Sequence, residues 1–197
     1  MAFQETTKVG MRLAEFLRLN SEEGEFELID GERIAKLPTV AGHSYATRAV
    51  FRAVDHFTIT NELGEAFSET TFILPDAYDS DWVKGSRIPD VMFIPAAALA
   101  AYRSQTPDWS ERPYPIVPAL VVEVVSPTDS YSDVDAKVDL YRADGVSLIW
   151  VVDPQRRKVA VYENGSEQPI FFHPGGTLSG GDVLPGFALP VSDIFPK

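Results

Sequence analysis

The sequence predicts an α/β protein (α+β mixed): a mixed β-sheet flanked by helices, with extra β-hairpins. Three observations carry this. The run 119–125, ALVVEVV, is continuously apolar apart from Glu123 and reads as a strand buried on both faces. A polar segment with helical spacing follows it, and then a second apolar run, 147–152. Upstream, alternation on either side of Asp30-Gly31 marks a two-residue hairpin. Strands alternating with helices in this way build a sheet covered on both sides.

Taken in order, Thr6 and Thr7 are candidate caps for a helix reaching Asn20, with Val9, Leu13, Phe16 and Leu17 on one face. EFELIDGERIAKL (25–37) is the hairpin. Tyr45, Ala49, Val50, Ala53 and Phe57 follow helical spacing across 42–63. Residues 65–74 read as a strand ended by Pro75, and 76–85 as an acidic loop. RIPDVMFI (87–94) is a second strand, in which Pro89 is tolerated only near a start, an edge or a bulge. A short helix is expected over 96–102, then a loop over 103–118. Next come the apolar strand and a helix over 129–143 with Val134, Val138, Leu140 and Tyr141, stopped by Gly145. A hairpin around Asp153-Pro154 and a strand over 168–172 follow. The glycine- and proline-rich tail has VLPGFALPVSDIF as its ordered part.

Bulk properties narrow the classes. The 197 residues suit one domain over 1–197 with a full core. No apolar run approaches the ~20 residues of a membrane helix, and the N-terminus lacks the pattern of a signal peptide. With no cysteine, disulfides and Cys-based zinc sites are excluded, which fits a cytoplasmic protein. The net charge of −12 argues against tight nonspecific binding to phosphate backbones. It leaves room for a local basic groove, or for a divalent metal between acids and a phosphate.

Glu123 needs an explanation, because a carboxylate in an apolar strand costs several kcal/mol without a cation or hydrogen bonds. Asp90 sits in a similar setting, among Ile88, Val91 and Phe93. Two such acids from adjacent strands, converging at one sheet end, form oxygen ligands for Mg²⁺ or Mn²⁺. Alternatively each is a strand-end acid facing water. Lys137 would neutralise a scissile phosphate or help position the attacking water; otherwise it is the exposed i,i+4 partner of Asp133. Ser126, before Pro127, either ends the strand or hydrogen-bonds a ligand carboxylate. His43 opens a helix and either faces a phosphate or packs. His43, His56 and His173 show no zinc spacing, and neither a phosphate-cradling loop nor GxSxG is present. Tyr102, Arg103, Trp109, Arg112 and Tyr114 interleave aromatic and basic groups, as a nucleic-acid contact, a dimer contact or a plain surface loop would.

The order Pro89-Asp90, then EVVSP (123–127), Lys137 and DGVSLIWVVDP (144–154) resembles the Uma-two endonuclease family of the PD-(D/E)xK, restriction-endonuclease-like superfamily. FELIDGERI with His43 after it, and LPGF (184–187), resemble it too. The resemblance implies a nuclease fold with Asp90 and Glu123 as metal ligands and Mg²⁺ (or Mn²⁺) as cofactor. It implies DNA as substrate and a homodimer. The superfamily pattern places lysine two residues after the acid, where this chain has Val125. Lys137 on the following helix is then the match, and Glu32 an additional acid near the site. The function expected is Mg²⁺-dependent endonucleolytic hydrolysis of DNA phosphodiesters. The alternatives are a catalytically inactive DNA-binding or protein-interaction module of the same fold, and a hydrolase acting on a smaller nucleotide or RNA.

Overall fold

The computed structural model describes residues 8–166 and 168–196. Thr6 and Thr7, the expected helix caps, lie outside them. The first helix starts later than its periodicity suggests. Gly10 turns the chain at φ 111°, β1 (Met11–Arg12) joins a sheet, and α1 (Leu13–Glu23) buries Leu13, Phe16 and Leu19. Val9 and Leu17 are exposed. The hairpin of β2 (Phe26–Ile29) and β3 (Glu32–Ala35) stands as expected, with both Asp30 and Gly31 at positive φ, the conformation of a type I′ turn. α2 (Ala41–Thr60) buries His43, Ala46, Thr47, Val50, Val54 and Thr58. The expected stripe lies one position round the helix, and of it only Val50 is fully buried. Polar His43, Thr47 and Thr58 are buried with partners: His43 contacts Asp90, Thr47 contacts His43, and Thr58 donates to the Asp55 carbonyl of its own helix.

The strand expected over 65–74 is two strands of different sheets, β4 (Gly64–Ser68) and β5 (Phe72–Asp76), parted where Glu69 adopts φ 46°. The expected acidic loop is the long strand β6 (Asp79–Arg87). Its acids are offset at the sheet rim by Lys8, with Asp76 and Asp79 at 3.6 and 3.7 Å, and by Arg12. Then follow β7 (Val91–Pro95), α3 (Ala96–Gln105), a single 3-10 turn, Trp109–Glu111, and β8 (Leu120–Val124). The chain continues through α4 (Tyr131–Asp144), β9 (Leu148–Asp153), β10 (Lys158–Glu163) and β11 (Ile170–Phe172). It closes with β12 (Thr177–Gly180), β13 (Leu184–Pro190) and a 3-10 turn, Val191–Ile194.

The central sheet has the order β11-β10-β9-β8-β7-β4. Within it β8 and β9 are parallel, joined by the α4 crossover, and the other pairings are antiparallel. β8 and β9 are buried along their whole length, as near-continuous apolar runs require. One sheet face, with Val91, Val122, Val124, Trp150 and Val152, packs against α2 and the β12-β13 ribbon. The other, with Met92, Val121, Ile149 and Val151, packs against Val138 and Tyr141 of α4. The second sheet, β1-β6-β2-β3 with β5 paired to β6, carries α1 through Phe16, Phe26 and Leu28.

A buried ion pair ties the second sheet to α4. Arg87 of β6 meets Asp144 through Nε at 3.0 Å and also donates to the Leu28 carbonyl at 2.9 Å. The loop expected over 103–118 begins only after α3 ends at Gln105, and it straps the two sheets together: Tyr114 bridges to Phe72, its carbonyl accepts the Ile73 N–H at 2.8 Å, and its ring lies against Phe67.

α4 begins with a reciprocal capping box. The Ser130 hydroxyl accepts from the Asp133 N–H, and Asp133 accepts from the Ser130 N–H. Gly145 at φ 95° closes the helix. Ser130→Ala is expected to cost about 1 kcal/mol, read as a lower urea midpoint with an unchanged m-value.

Candidate active site

The site is built at one end of the central sheet, where helices from both faces meet the strands. Val91 pairs with Val122 in the β7–β8 register. Extended by one residue, that register sets Asp90 across from Glu123. Both acids are buried.

Asp90 follows Pro89 in the short link between β6 and β7, immediately before Val91. Its Oδ2 accepts the Val124 N–H at 2.7 Å and lies 3.1 Å from His43 Nε2. His43 stands in the first turn of α2, and its Nδ1 is 3.4 Å from the Thr47 hydroxyl. The Asp90 contact requires the proton on Nε2, leaving Nδ1 to accept from Thr47. Burial works against the charged imidazole, but the Asp90 hydrogen bond and charge outweigh it, and the His43 pKa is raised. His43 is thus buried and anchors Asp90.

Glu123 is held from the opposite face. Lys137 Nζ donates to its Oε2 at 2.8 Å, and the Tyr141 hydroxyl donates to its Oε1 at 2.5 Å. Lys137 and Tyr141 are i,i+4 on α4, so one helix face supplies both donors. Burial raises the Glu123 carboxyl to about 7 despite the opposing pull of Lys137. Burial alone would lower the Lys137 pKa, but Glu123, Glu27 and Asp90 raise it, so the ammonium keeps its proton. Burial also raises the Tyr141 hydroxyl well above its ordinary value, keeping it a donor.

Val125 shares a face with Glu123, the face that α4 covers. An ammonium reaching Glu123 from α4 therefore arrives over the position where the superfamily pattern puts lysine. Asp133, the alternative partner of Lys137, is occupied in the capping box.

Two expectations are not met. Glu32 is exposed on β3, away from these groups. The hairpin acid that approaches them is Glu27 on β2, which accepts the Ile88 N–H at 2.8 Å and acts electrostatically on Glu123, Lys137 and Tyr141. The only sequence signal for it was alternation: Phe26 and Leu28 point to α1, so Glu27 points the other way. Ser126 bonds to Asp129 through its backbone, and its hydroxyl makes no hydrogen bond to either carboxylate among the described residues. It ends the strand. The aromatic and basic groups of 103–118 are spent within the protein: Arg103 forms a two-pronged pair with Glu65 and stacks on Trp109, and Arg112 pairs with Asp108.

Among the described residues, no three His, Cys, Asp or Glu side chains cluster closely enough to hold a metal unaided. The donor set still fits Mg²⁺. That ion is typically held by one or two carboxylates and completes its shell with water and substrate phosphate. Asp90 Oδ1 accepts no hydrogen bond among the described residues, and each Glu123 oxygen accepts one and keeps a second lone pair.

Residues 13–192 match the Uma2 family, described as "Putative restriction endonuclease". A crystal structure titled as a putative nuclease belonging to DUF820, from Anabaena variabilis ATCC 29413, superposes with a TM-score of 0.71. It is 22% identical, over 93% of this chain and 97% of that one, and shares the fold. No curated protein matches the chain.

The raised Glu123 carboxyl has a consequence for stability in metal-free buffer. The folded state binds this proton more tightly than the unfolded chain, whose carboxyl titrates near 4.5. Its contribution is therefore present at low pH and lost as pH rises from about 4.5 to about 7. Glu123→Gln is expected to gain on the wild type across that window in urea melts. A stability difference that stays flat with pH would contradict this.

Proposed function

Because the chain belongs to the Uma2 family of putative restriction endonucleases, we propose that it is a Mg²⁺-dependent endodeoxyribonuclease working at Asp90, Glu123 and Lys137. The observation that supports this most is the Lys137 ammonium 2.8 Å from Glu123, at the sheet end that also carries Asp90. A structural lysine on an exposed helix face would have paired with its neighbour Asp133.

Asp90 and Glu123 would hold Mg²⁺, or Mn²⁺ in its place. When bound, such a cation lowers the pKa of a water and offsets charge on the phosphate. The protein's own residues do the rest. His43 and the Val124 N–H fix Asp90 so that its free oxygen keeps one direction. Tyr141 fixes Glu123 in the same way. Lys137 stays protonated and has a partly exposed stem. It therefore serves as a mobile positive charge for the scissile phosphate and not as a base. Glu27 reinforces the positive charge on Lys137. Two copies of the chain would bring two such sites to the two strands of a duplex.

Plasmid nicking in Mg²⁺ or Mn²⁺ tests the reading. Asp90→Ala and Glu123→Ala are expected to abolish cleavage. Lys137→Ala should slow it by about 10²-fold, the scale of losing one preorganised charge. Cleavage that survives both acid substitutions would place the activity elsewhere. A wild type that binds DNA but cuts no form of it would instead identify a binding module.

Mn²⁺ titration gives an independent readout. The melting temperature of the wild type should rise with Mn²⁺ by mass action, about 2.7 kcal/mol of added stability at a hundredfold excess over Kd. Asp90→Asn should lose that rise.

A further inference from the structure

The outer face of α2 carries a second feature. Tyr45, Arg48, Arg52 and His56 recur at helical spacing and are all exposed. In a chain of net charge −12, Arg48 and Arg52 stand apart. Neither makes a hydrogen bond, an ion pair or a ring contact among the described residues. Every other arginine of the chain is engaged: Arg12, Arg18, Arg33, Arg87, Arg103, Arg112 and Arg156 with carboxylates, Arg142 and Arg157 with backbone carbonyls.

Two clefts run along this face and share Arg48. The first, about 190 Å³, opens at His43 and is walled by Arg48 and Glu69. The second, about 370 Å³, continues past Tyr45, Arg48, Arg52 and His56, with Asp193 on its far side. The His43 end is the end that holds Asp90. The clefts thus run from His43, the residue that contacts Asp90, along the one stripe of arginines without an ion pair among the described residues.

We infer that this stripe is a track for the phosphate backbone of the DNA flanking the cut, with Arg48 and Arg52 each taking a phosphate and Tyr45 placed to stack on a base. The inference rests on the nuclease reading above and adds the course of the substrate. Charge complementarity selects the occupant: two unpaired guanidiniums in an otherwise acidic protein call for an anion, and phosphate is the anion that guanidinium matches in geometry. Arg48 and Arg52 are one helical turn apart, about 6 Å along the helix axis, so both face the same side. Asp193 limits the strength of the track and gives it a distinctive signature.

The test is fluorescence anisotropy of a labelled DNA duplex with Ca²⁺ in place of Mg²⁺, over a series of salt concentrations. Each of Arg48→Ala and Arg52→Ala is expected to lower the slope of log K against log salt by about 0.9. Each should weaken binding by about five- to tenfold at 0.1 M salt, irrespective of DNA sequence. Lysine at either position should restore most of the slope. Asp193→Asn should tighten binding, and Lys84→Ala, on the second sheet, should leave it unchanged. Variants with the wild-type slope and affinity would overturn the track while leaving cleavage at Asp90 and Glu123 standing. A wild type that neither binds nor nicks DNA would remove the nuclease reading, and the track with it.

Discussion

Glu123 is a carboxylate in a strand buried on both faces, and its satisfaction constrains everything around it. Lys137 and Tyr141 can both reach it only if α4 lies along the β8–β9 pair with one particular face inward. The β8–α4–β9 crossover sets that position. The capping box starts the helix at Ser130, and the Arg87–Asp144 pair holds its far end to the second sheet. Removing either donor would leave a buried acid short of a partner, and such acids cost several kcal/mol. The elements that stabilise α4 are therefore also the elements that place the lysine.

Asp90 is served by the opposite face. α2 sends His43 past the edge of the core to the sheet end, and β8 sends the Val124 N–H. Two helices on two faces thus converge on two carboxylates contributed by neighbouring strands. Position 125 holds valine, and Lys137 reaches Glu123 from α4 instead. Val125 and Glu123 face α4 together, so a long side chain from the helix covers the same ground as one from the strand. The hydrophobic strand end is kept, and the cation is delivered across the helix–sheet interface.

Electrostatics separates the inside of the site from its approach. Inside, each acid has its own partner: Asp90 contacts His43, and Glu123 contacts Lys137. Outside, most surface cations are spent on the excess of acids, and the second sheet's rim is an example. The α2 stripe departs from that economy, because Arg48 and Arg52 form no ion pair among the described residues. A protein with 29 acidic and 17 basic residues meets a polyanion only where such cations are left free.

The sequence alone determined the strong local features, since short-range physics decides them. Asp30-Gly31 demanded its turn, the run before Ser126 had to be an interior strand, and Gly145 had to end a helix. Asp90, Glu123 and Lys137 were legible as anomalies and as an ordered set resembling a known family. Only the tertiary structure decided matters that depend on which surface meets which. The acids and alternation of 79–87 fit a loop or an edge strand equally, and pairing with β1, β2 and β5 settled it as a strand. Two stripes of α2 satisfy the same period, and the one with Ala46, Val50 and Val54 in the core and His43 beside Asp90 went inward. Glu32 and Glu27 are both acids of one hairpin, five residues apart in opposite strands. The packing of Phe26 and Leu28 on α1 turned Glu27 the other way, toward the site; Glu32, opposite Ile29, shares that face but stands beside the turn on the exposed edge strand. Tyr141 read as core, and it is; that its hydroxyl also holds Glu123 could be seen only once α4 lay on β8.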